Sequence, residues 1–198
     1  MEIIFASSNP NKLREITSIC PQEWTIRSMA EAGFKGELPE TRETIEGNSL
    51  QKAETLYNIL KKKCFAEDTG LEIEALNGAP GVLTARFAGT GCAAEDNWKK
   101  VLTLLKDFPN RKARFKTIIT YFDNGAWQQF EGICPGSIAH APKGNDGFGY
   151  DPVFIPDGSL QTFAEMDLTE KNTYSHRKKA FDRFATFLHS LSSLTKEY

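Results

Sequence analysis

Residues 113–133 read ARFKTIITYFDNGAWQQFEGI. Two β-rich runs, Ala113 to Phe122 and Ala126 to Ile133, flank Asp123-Asn124-Gly125. Asn-Gly between such runs is a strong hairpin signal, because a two-residue turn needs residues that tolerate positive φ. An antiparallel pair in mid-chain rules out a strictly alternating parallel fold. Upstream, Glu2 to Ala6 reads as a short buried strand. Asn9 then suits a helix N-cap and Pro10 the first helical position, with Leu13, Ile16 and Cys20 on one face and Pro21 as the stop. Leu50, Ala53, Tyr57 and Leu60 recur at helical spacing between about Asn48 and Lys63. Cys64 to Ala66 is a short strand, Leu71 to Leu76 continues extended, and Ala93 to Leu105 is helical. Beyond the hairpin, Ser137 to Ala141 offers another strand, and Phe181, Phe184, Leu188 and Leu191 form the apolar face of a last helix. Strand and helix, then antiparallel strands, then helix gives a mixed α/β fold.

The 198 residues are enough for one large domain or two closely packed lobes. With 40% hydrophobic and 25% charged residues, the composition is that of a globular protein. Lys and Arg number 24 against 26 Asp and Glu, a formal net charge of -2. Duplex nucleic-acid binders draw affinity from a basic surplus, so nucleic acid is not an expected partner, although a local basic pocket for a small phosphorylated ligand is compatible. Cys20, Cys64, Cys92 and Cys134 are scattered and have no clustered histidines, which argues against a zinc site or a disulfide framework. They are expected to be reduced and mostly buried. No apolar run reaches membrane-spanning length, and Met1 to Ala6 lacks the features of a signal peptide, so no membrane association and a cytoplasmic location are expected.

Five segments are polar or glycine-rich where core elements should be ending. Ser7-Ser8-Asn9-Pro10-Asn11-Lys12 links the first strand to the first helix, and a helix N-terminus with two hydroxyls and a lysine suits an anion. It is no Walker A loop, because the glycines are absent. Glu67-Asp68-Thr69-Gly70 follows the Cys64 to Ala66 strand, and adjacent carboxylates there can hold a hard cation and orient water. Glu40, in the acidic loop ahead of the second helix, is a further possible metal ligand, although nothing local singles it out from Glu37, Glu43 or Glu46. Gly78 to Gly81 leads to Thr84-Ala85-Arg86, a loop that positions an arginine. Gly144 to Pro152 (GNDGFGYDP) combines close backbone approach with aromatics able to stack on a base. Glu170-Lys171-Asn172 and Ser175-His176-Arg177 gather donors near the last helix. Together these supply donors for phosphate, carboxylates for a cation, an aromatic for a base and cationic donors for its edge. No arrangement suggests a covalent nucleophile, and His140 and His189 lack a supporting motif.

The order of these motifs resembles the inosine/xanthosine triphosphate pyrophosphatase, or Ham1-like, family. The stretches that carry the resemblance are SSNPNK, NSLQKA, AEDTGLEIEAL, GAPGVLTARFAG, PKGNDGFGYDPVF, TFAEM, EKN and SHR, in that order from residue 7 to residue 177. The resemblance implies one domain over residues 1–198, with two lobes (the second at roughly residues 110–160), a mixed sheet flanked by helices, and an active site in the cleft between the lobes. It also implies a homodimer that uses Mg²⁺. By motif match, Ser7, Ser8, Asn9, Pro10, Asn11 and Lys12 would hold the triphosphate. Asp68 would be general base and metal ligand with Glu40, and Thr69 would touch substrate. Phe148, Gly149, Tyr150, Asp151, Lys171, His176 and Arg177 would form the nucleobase end. This chain departs from the family at Glu67 and Thr69, where Asp-Asp-Ser-Gly is common, and at Gly47-Asn48-Ser49, where Glu-Asn-Ala is common; Glu46 could stand in for that carboxylate.

The implied reaction is hydrolysis of deaminated purine nucleoside triphosphates (ITP, dITP, XTP) to the monophosphate and pyrophosphate. Other readings are a pyrophosphatase for another modified nucleotide, as in the Maf-like proteins, and a nucleotide-binding protein without turnover.

Overall fold

The computed structural model describes residues 2–194. Its strands are β1 (Glu2–Phe5), β2 (Thr25–Ser28), β3 (Cys64–Ile73), β4 (Pro80–Gly81), β5 (Lys112–Asp123), β6 (Ala126–Ile138) and β7 (Phe154–Pro156). Its α-helices are α1 (Pro10–Ile19), α2 (Ile45–Leu60), α3 (Ala94–Leu104), α4 (Leu168–Tyr174) and α5 (His176–Leu194). The hydrogen-bonded order is β2-β1-β3-β5-β6-β7, with β4 paired to β3. β1 is parallel to both β2 and β3, and β7 is antiparallel to β6. The sheet is therefore mixed, as the central hairpin requires. That hairpin turns on Asn124 and Gly125 at φ 47° and 80°, both in the left-handed region that a type I′ turn demands.

Local rules account for most elements. Asn9 caps α1 with Oδ1 accepting from the backbone N–H of Asn11 and Lys12, and Pro10 fills the first turn, where a missing N–H costs nothing. Thr44 caps α2 through the N–H of Gly47. Along α5, Phe181, Phe184 and Leu188 are buried, but Leu191 is 37% exposed, so the apolar stripe ends one turn earlier than the periodicity implies.

Three expectations change. β3 does not stop at Ala66 but runs on to Ile73, which puts Glu67-Asp68-Thr69-Gly70 inside a strand. Ionised groups are costly to bury, and that cost made the carboxylate pair read as an end; here cations compensate them, as described below. The extended segment ends at Ile73, and Glu74–Leu76 is a 3₁₀ turn. No separate strand covers Ser137 to Ala141, because β6 itself continues to Ile138.

The chain divides into two compact units. The first takes residues up to Asp68, Thr117–Gly132 and residues from Arg177 onward; the second takes Thr69–Lys116 and Ile133–His176. The first unit buries Phe5, Phe65, Phe181 and Phe184 in one cluster, with Phe5 and Phe65 stacked at 4.7 Å, and Ala53, Leu56 and Phe122 in another. The second packs Phe115, Phe154 and Phe163 around Leu71, Val101 and Val153.

All four cysteines are free; Cys64 and Cys134 are buried, while Cys20 and Cys92 are half-buried. Cys64 donates to the Ala53 carbonyl at 3.3 Å. Burial, with a lesser contribution from Asp123, pushes its thiol up to about 12. An unfolded thiol ionises near 8.5, so this group's stabilisation is complete below about pH 8.5 and is lost as pH rises towards 12, at about 1.4 kcal/mol per pH unit. Urea denaturation between pH 8 and 10 should show that fall, and Cys64→Ala should flatten it.

Candidate active site

In the first unit the chemistry gathers where β1 and β3 run side by side. Lys12, in the first turn of α1, places Nζ 3.0 Å from Glu67 Oε1 on β3. Arg177, at the start of α5, grips the same carboxylate as a fork, Nε to Oε2 at 2.5 Å and Nη2 to Oε1 at 2.9 Å. Its Nη1 donates to Glu15 on α1. Glu15, Glu67 and Arg177 are 3%, 1% and 2% exposed, so this is a buried alternation of two carboxylates and two cations. Burial alone would raise the Glu67 pKa, but Arg177 and Lys12 outweigh it and hold the carboxyl well below the usual range. Burial likewise works against the Arg177 charge, and Glu67 and Glu15 more than restore it.

Asp68, the next residue, has a different environment. It is buried, and its Oδ1 lies 3.4 Å from Lys52 Nζ. The same ammonium meets Glu40 Oε1 at 2.5 Å. Burial, opposed by Lys52 and Lys12 and reinforced by Glu40, leaves Asp68 with a raised pKa. For Lys52, burial opposes the charge, but Asp68 and Glu40 prevail and raise its pKa. Two neighbouring carboxylates are thus driven apart, Glu67 fixed as an anion and Asp68 made more basic, the pattern that divides structural from proton-transferring roles.

Helix α2 sets the position of Glu40. Asn48 Oδ1 accepts from the N–H of Arg42 at 2.9 Å, and Gln51 exchanges two hydrogen bonds with Thr41. Ser49 anchors the helix by donating to the Ile118 carbonyl at 3.0 Å and meeting the Thr120 hydroxyl at 2.8 Å. At Gly47 a Cβ would stand 2.8 Å from Arg42 Cβ and 2.9 Å from Thr44 Oγ1, so a side chain there would require the preceding loop to shift.

Around α1, Ser8 and Pro10 are exposed and Ser7, Asn9, Asn11 and Lys12 partly so. Asn9 already takes the N–H groups of Asn11 and Lys12, and its own N–H donates to Ser7 Oγ at 3.2 Å. The loop's reach for an anion therefore rests more on its side chains than on free backbone donors.

The second unit holds the other group. Asp151 Oδ2 accepts from Lys171 Nζ at 2.6 Å and from the Phe148 N–H at 2.8 Å. Gly147 has φ 77°, and a Cβ on it would stand 2.1 Å from that same Oδ2, so the loop closes on Asp151 only with glycine there. Phe148 remains half-exposed, with Lys171 Nζ 5.3 Å from its ring centre. Gly149 and Thr69 are half-exposed. Tyr150 is different: its ring is core and its hydroxyl donates to the Thr84 carbonyl at 3.0 Å. His176 stacks on Phe115 at 4.6 Å. Of the residues expected at the nucleobase end, the structure thus brings Phe148, Asp151 and Lys171 together. Arg177 has its guanidinium on Glu67 and Glu15 in the first unit.

Lys52 and Glu15 escaped the sequence reading. Lys52 lies within NSLQKA, four residues after Asn48, on the helix face that carries the other anchors. Glu15 follows Lys12 by three residues, one turn along the helix.

Glu40 and Asp68 fit a hard cation. Mg²⁺ takes one or two carboxylates, retains water and shares phosphate oxygens, and these two carboxylates already converge on one positive charge. Among the described residues no cluster of three or more His, Cys, Asp or Glu could hold a metal, so the donor set suits an ion completed by a ligand rather than a closed protein cage.

Removing one member of a buried ion pair costs about 3–5 kcal/mol. Glu15→Leu, which leaves Arg177 without its α1 carboxylate, is expected to lower stability by about that amount in chemical denaturation.

Comparison with known proteins identifies the family. The Ham1 family model matches residues 3–187. The chain is 45% identical over 188 residues to a protein of Flavobacterium johnsoniae named dITP/XTP pyrophosphatase, covering 95% of this chain and 98% of that one. It is 47% identical over 180 residues to a protein of the same name from Flavobacterium psychrophilum, covering 91% and 95%. A solved HAM1 protein from Coxiella burnetii superposes with a TM-score of 0.87 at 35% identity, over 96% of this chain and 99% of that one. With its mixed α/β sheet and its motifs in matching order, this chain belongs to the Ham1 family.

Proposed function

We propose that this protein hydrolyses deaminated purine nucleoside triphosphates, dITP, ITP and XTP, to the monophosphate and pyrophosphate. The observation that carries the reading is Asp68: a buried carboxylate of raised basicity, bracketed by Lys52 and Glu40 one residue beyond the Lys12–Glu67 pair. The names of the similar Flavobacterium proteins support the same substrate class.

In this reading Ser7 to Lys12 receive the triphosphate, with Lys12 exchanging part of its contact with Glu67 for phosphate oxygens. Asp68 takes the proton of a water whose oxygen bonds to the α-phosphorus, while the bond from that phosphorus to the bridging oxygen breaks and pyrophosphate departs. Mg²⁺ held by Glu40 and Asp68 would supply charge neutralisation at the phosphate oxygens. Arg177 acts at a distance by fixing Glu67, and thereby Lys12. At the base, Phe148 offers a face for stacking and Lys171, oriented by Asp151, offers a donor to the 6-carbonyl. Adenine presents an amino group there, and donor facing donor leaves both unpaired, which discriminates strongly; guanine shares the carbonyl, so its 2-amino group has to be rejected by shape or by the lack of an acceptor.

Pyrophosphate release from a panel of triphosphates, with Mg²⁺ or with chelator, tests this. Expected is Mg²⁺-dependent release from dITP, ITP and XTP with little from ATP or GTP, and a loss of about 10²–10⁴-fold in kcat for Asp68→Asn with KM nearly unchanged. Preference for a modified pyrimidine, or full turnover in Asp68→Asn, would overturn the assignment.

We also propose a homodimer in the cytoplasm. No helix among the described residues is long and apolar enough to cross a membrane, and the proposal of a dimer follows from the Ham1 family resemblance. Sedimentation equilibrium should give twice the 22.1 kDa chain mass; a single-chain mass at micromolar concentration would refute dimerisation.

A further inference from the structure

The second unit contains a cavity of ≈ 710 Å³ that shares no residue with the groups described above. It opens where the start of β5 meets the end of β6 and is bounded by β7. Its lining includes Arg111, Lys112 and Lys143 and contains no Asp or Glu. In a chain of net charge -2, that concentration of cations is local, not a reflection of composition. Pro109, Ala141 and Ile155 contribute apolar surface to the same lining, while Ile138 and Ala139 lie buried behind it.

The cations are held in different ways. Arg111 donates to three carbonyls, Ile138 at 2.6 Å, Ala139 at 2.8 Å and Leu105 at 3.1 Å. These bonds pin the guanidinium to the strand ends, but carbonyls bring no negative charge, and burial lowers its pKa as expected of a cation without a counter-charge. Lys143 has its main chain fixed at both ends, its N–H donating to the Pro152 carbonyl at 2.9 Å and its carbonyl accepting from Thr162 Oγ1 at 2.9 Å. Its side chain, like that of Lys112, is exposed and has no acidic partner among the described residues.

We propose that this basin binds a nucleoside phosphate, with the phosphate on Lys112 and Lys143 in the field of Arg111 and the nucleoside against Pro109, Ala141 and Ile155. Three cations without an acid call for an anion. The volume lies within the range of small-molecule sites, about 300–1,000 Å³. A bare inorganic anion would leave the apolar wall wet, whereas a base covers it. The inference does not rest on the hydrolytic activity.

The test is calorimetric titration of the full chain with AMP, inorganic phosphate and a thymidine decanucleotide, for the wild type and for a Lys112→Glu/Lys143→Glu variant. Both positions are exposed, so the variant should melt like the wild type. Expected is AMP binding that weakens with salt, is about tenfold or more weaker in the variant, and exceeds phosphate binding by a similar factor. Turnover of the preferred triphosphate should remain within about twofold, since a tenfold change in rate or affinity needs a 1.4 kcal/mol contact that these side chains do not make there. AMP affinity unchanged by the variant would overturn the proposal, as would equal affinity for phosphate and AMP. Variant-sensitive binding of the oligonucleotide without AMP binding would make the face a nucleic-acid surface instead. A large rise in KM for the triphosphate would make the basin part of the reaction site and equally refute a second one.

Discussion

Burying a carboxylate in the middle of a strand is tolerable only if its charge is answered on the spot. At Glu67 the answer is a forked guanidinium on one side and an ammonium on the other. Because Arg177 is itself out of water, it needs Glu15 as well. Two carboxylates and two cations then nearly cancel, and the geometry of each is set by its neighbours. This balance holds α1 and α5 against β3 and fixes where Lys12 can reach. Buried ion pairs are weak evidence for stability as such; their value here is positional, because Lys12 and Asp68 stand on either side of the compensated residue.

Asp68 gains from the contrast. Its neighbour along the strand points to a guanidinium, while it points to a lysine already shared with Glu40. One ammonium between two carboxylates leaves that corner with an excess of negative charge, so it favours a cation and tolerates a proton. The same strand therefore presents one carboxylate locked in its charged form and one available for chemistry.

Much of this was legible in the chain, for identifiable reasons. Asn9-Pro10 and Asn124-Gly125 are local signals whose conformations owe little to distant contacts, and both formed as read. The polar run 67–70 reads as a strand end but lies within β3, because the cations that neutralise Glu67 come from residues 12 and 177. Lys52 was invisible for the same reason: a lysine on an amphipathic helix reads as solvated until two acids are seen around it. Arg177 shows the same dependence on distant partners. Its place in SHR suggested a ligand contact, and only the fold reveals that its fork meets Glu67. Tyr150, just after Gly149, reads as available for stacking and lies instead in a core built from residues on either side of it in sequence.

The arrangement of the two units bears on how the chain is made. Glu15 and Arg177 are 162 residues apart, and Glu67 and Arg177 are 110 apart. The second unit is complete once His176 has been added. The first begins at the N-terminus yet lacks its last helix, and its guanidinium, until the following residue. During synthesis Glu15 and Glu67 therefore wait as two carboxylates with one lysine between them, a state that favours hydration over collapse. The first unit to begin is the last to close, and contacts of such long range form slowly. A chain cut just short of residue 177 would keep every residue of the second unit but lack the guanidinium that Glu15 and Glu67 share.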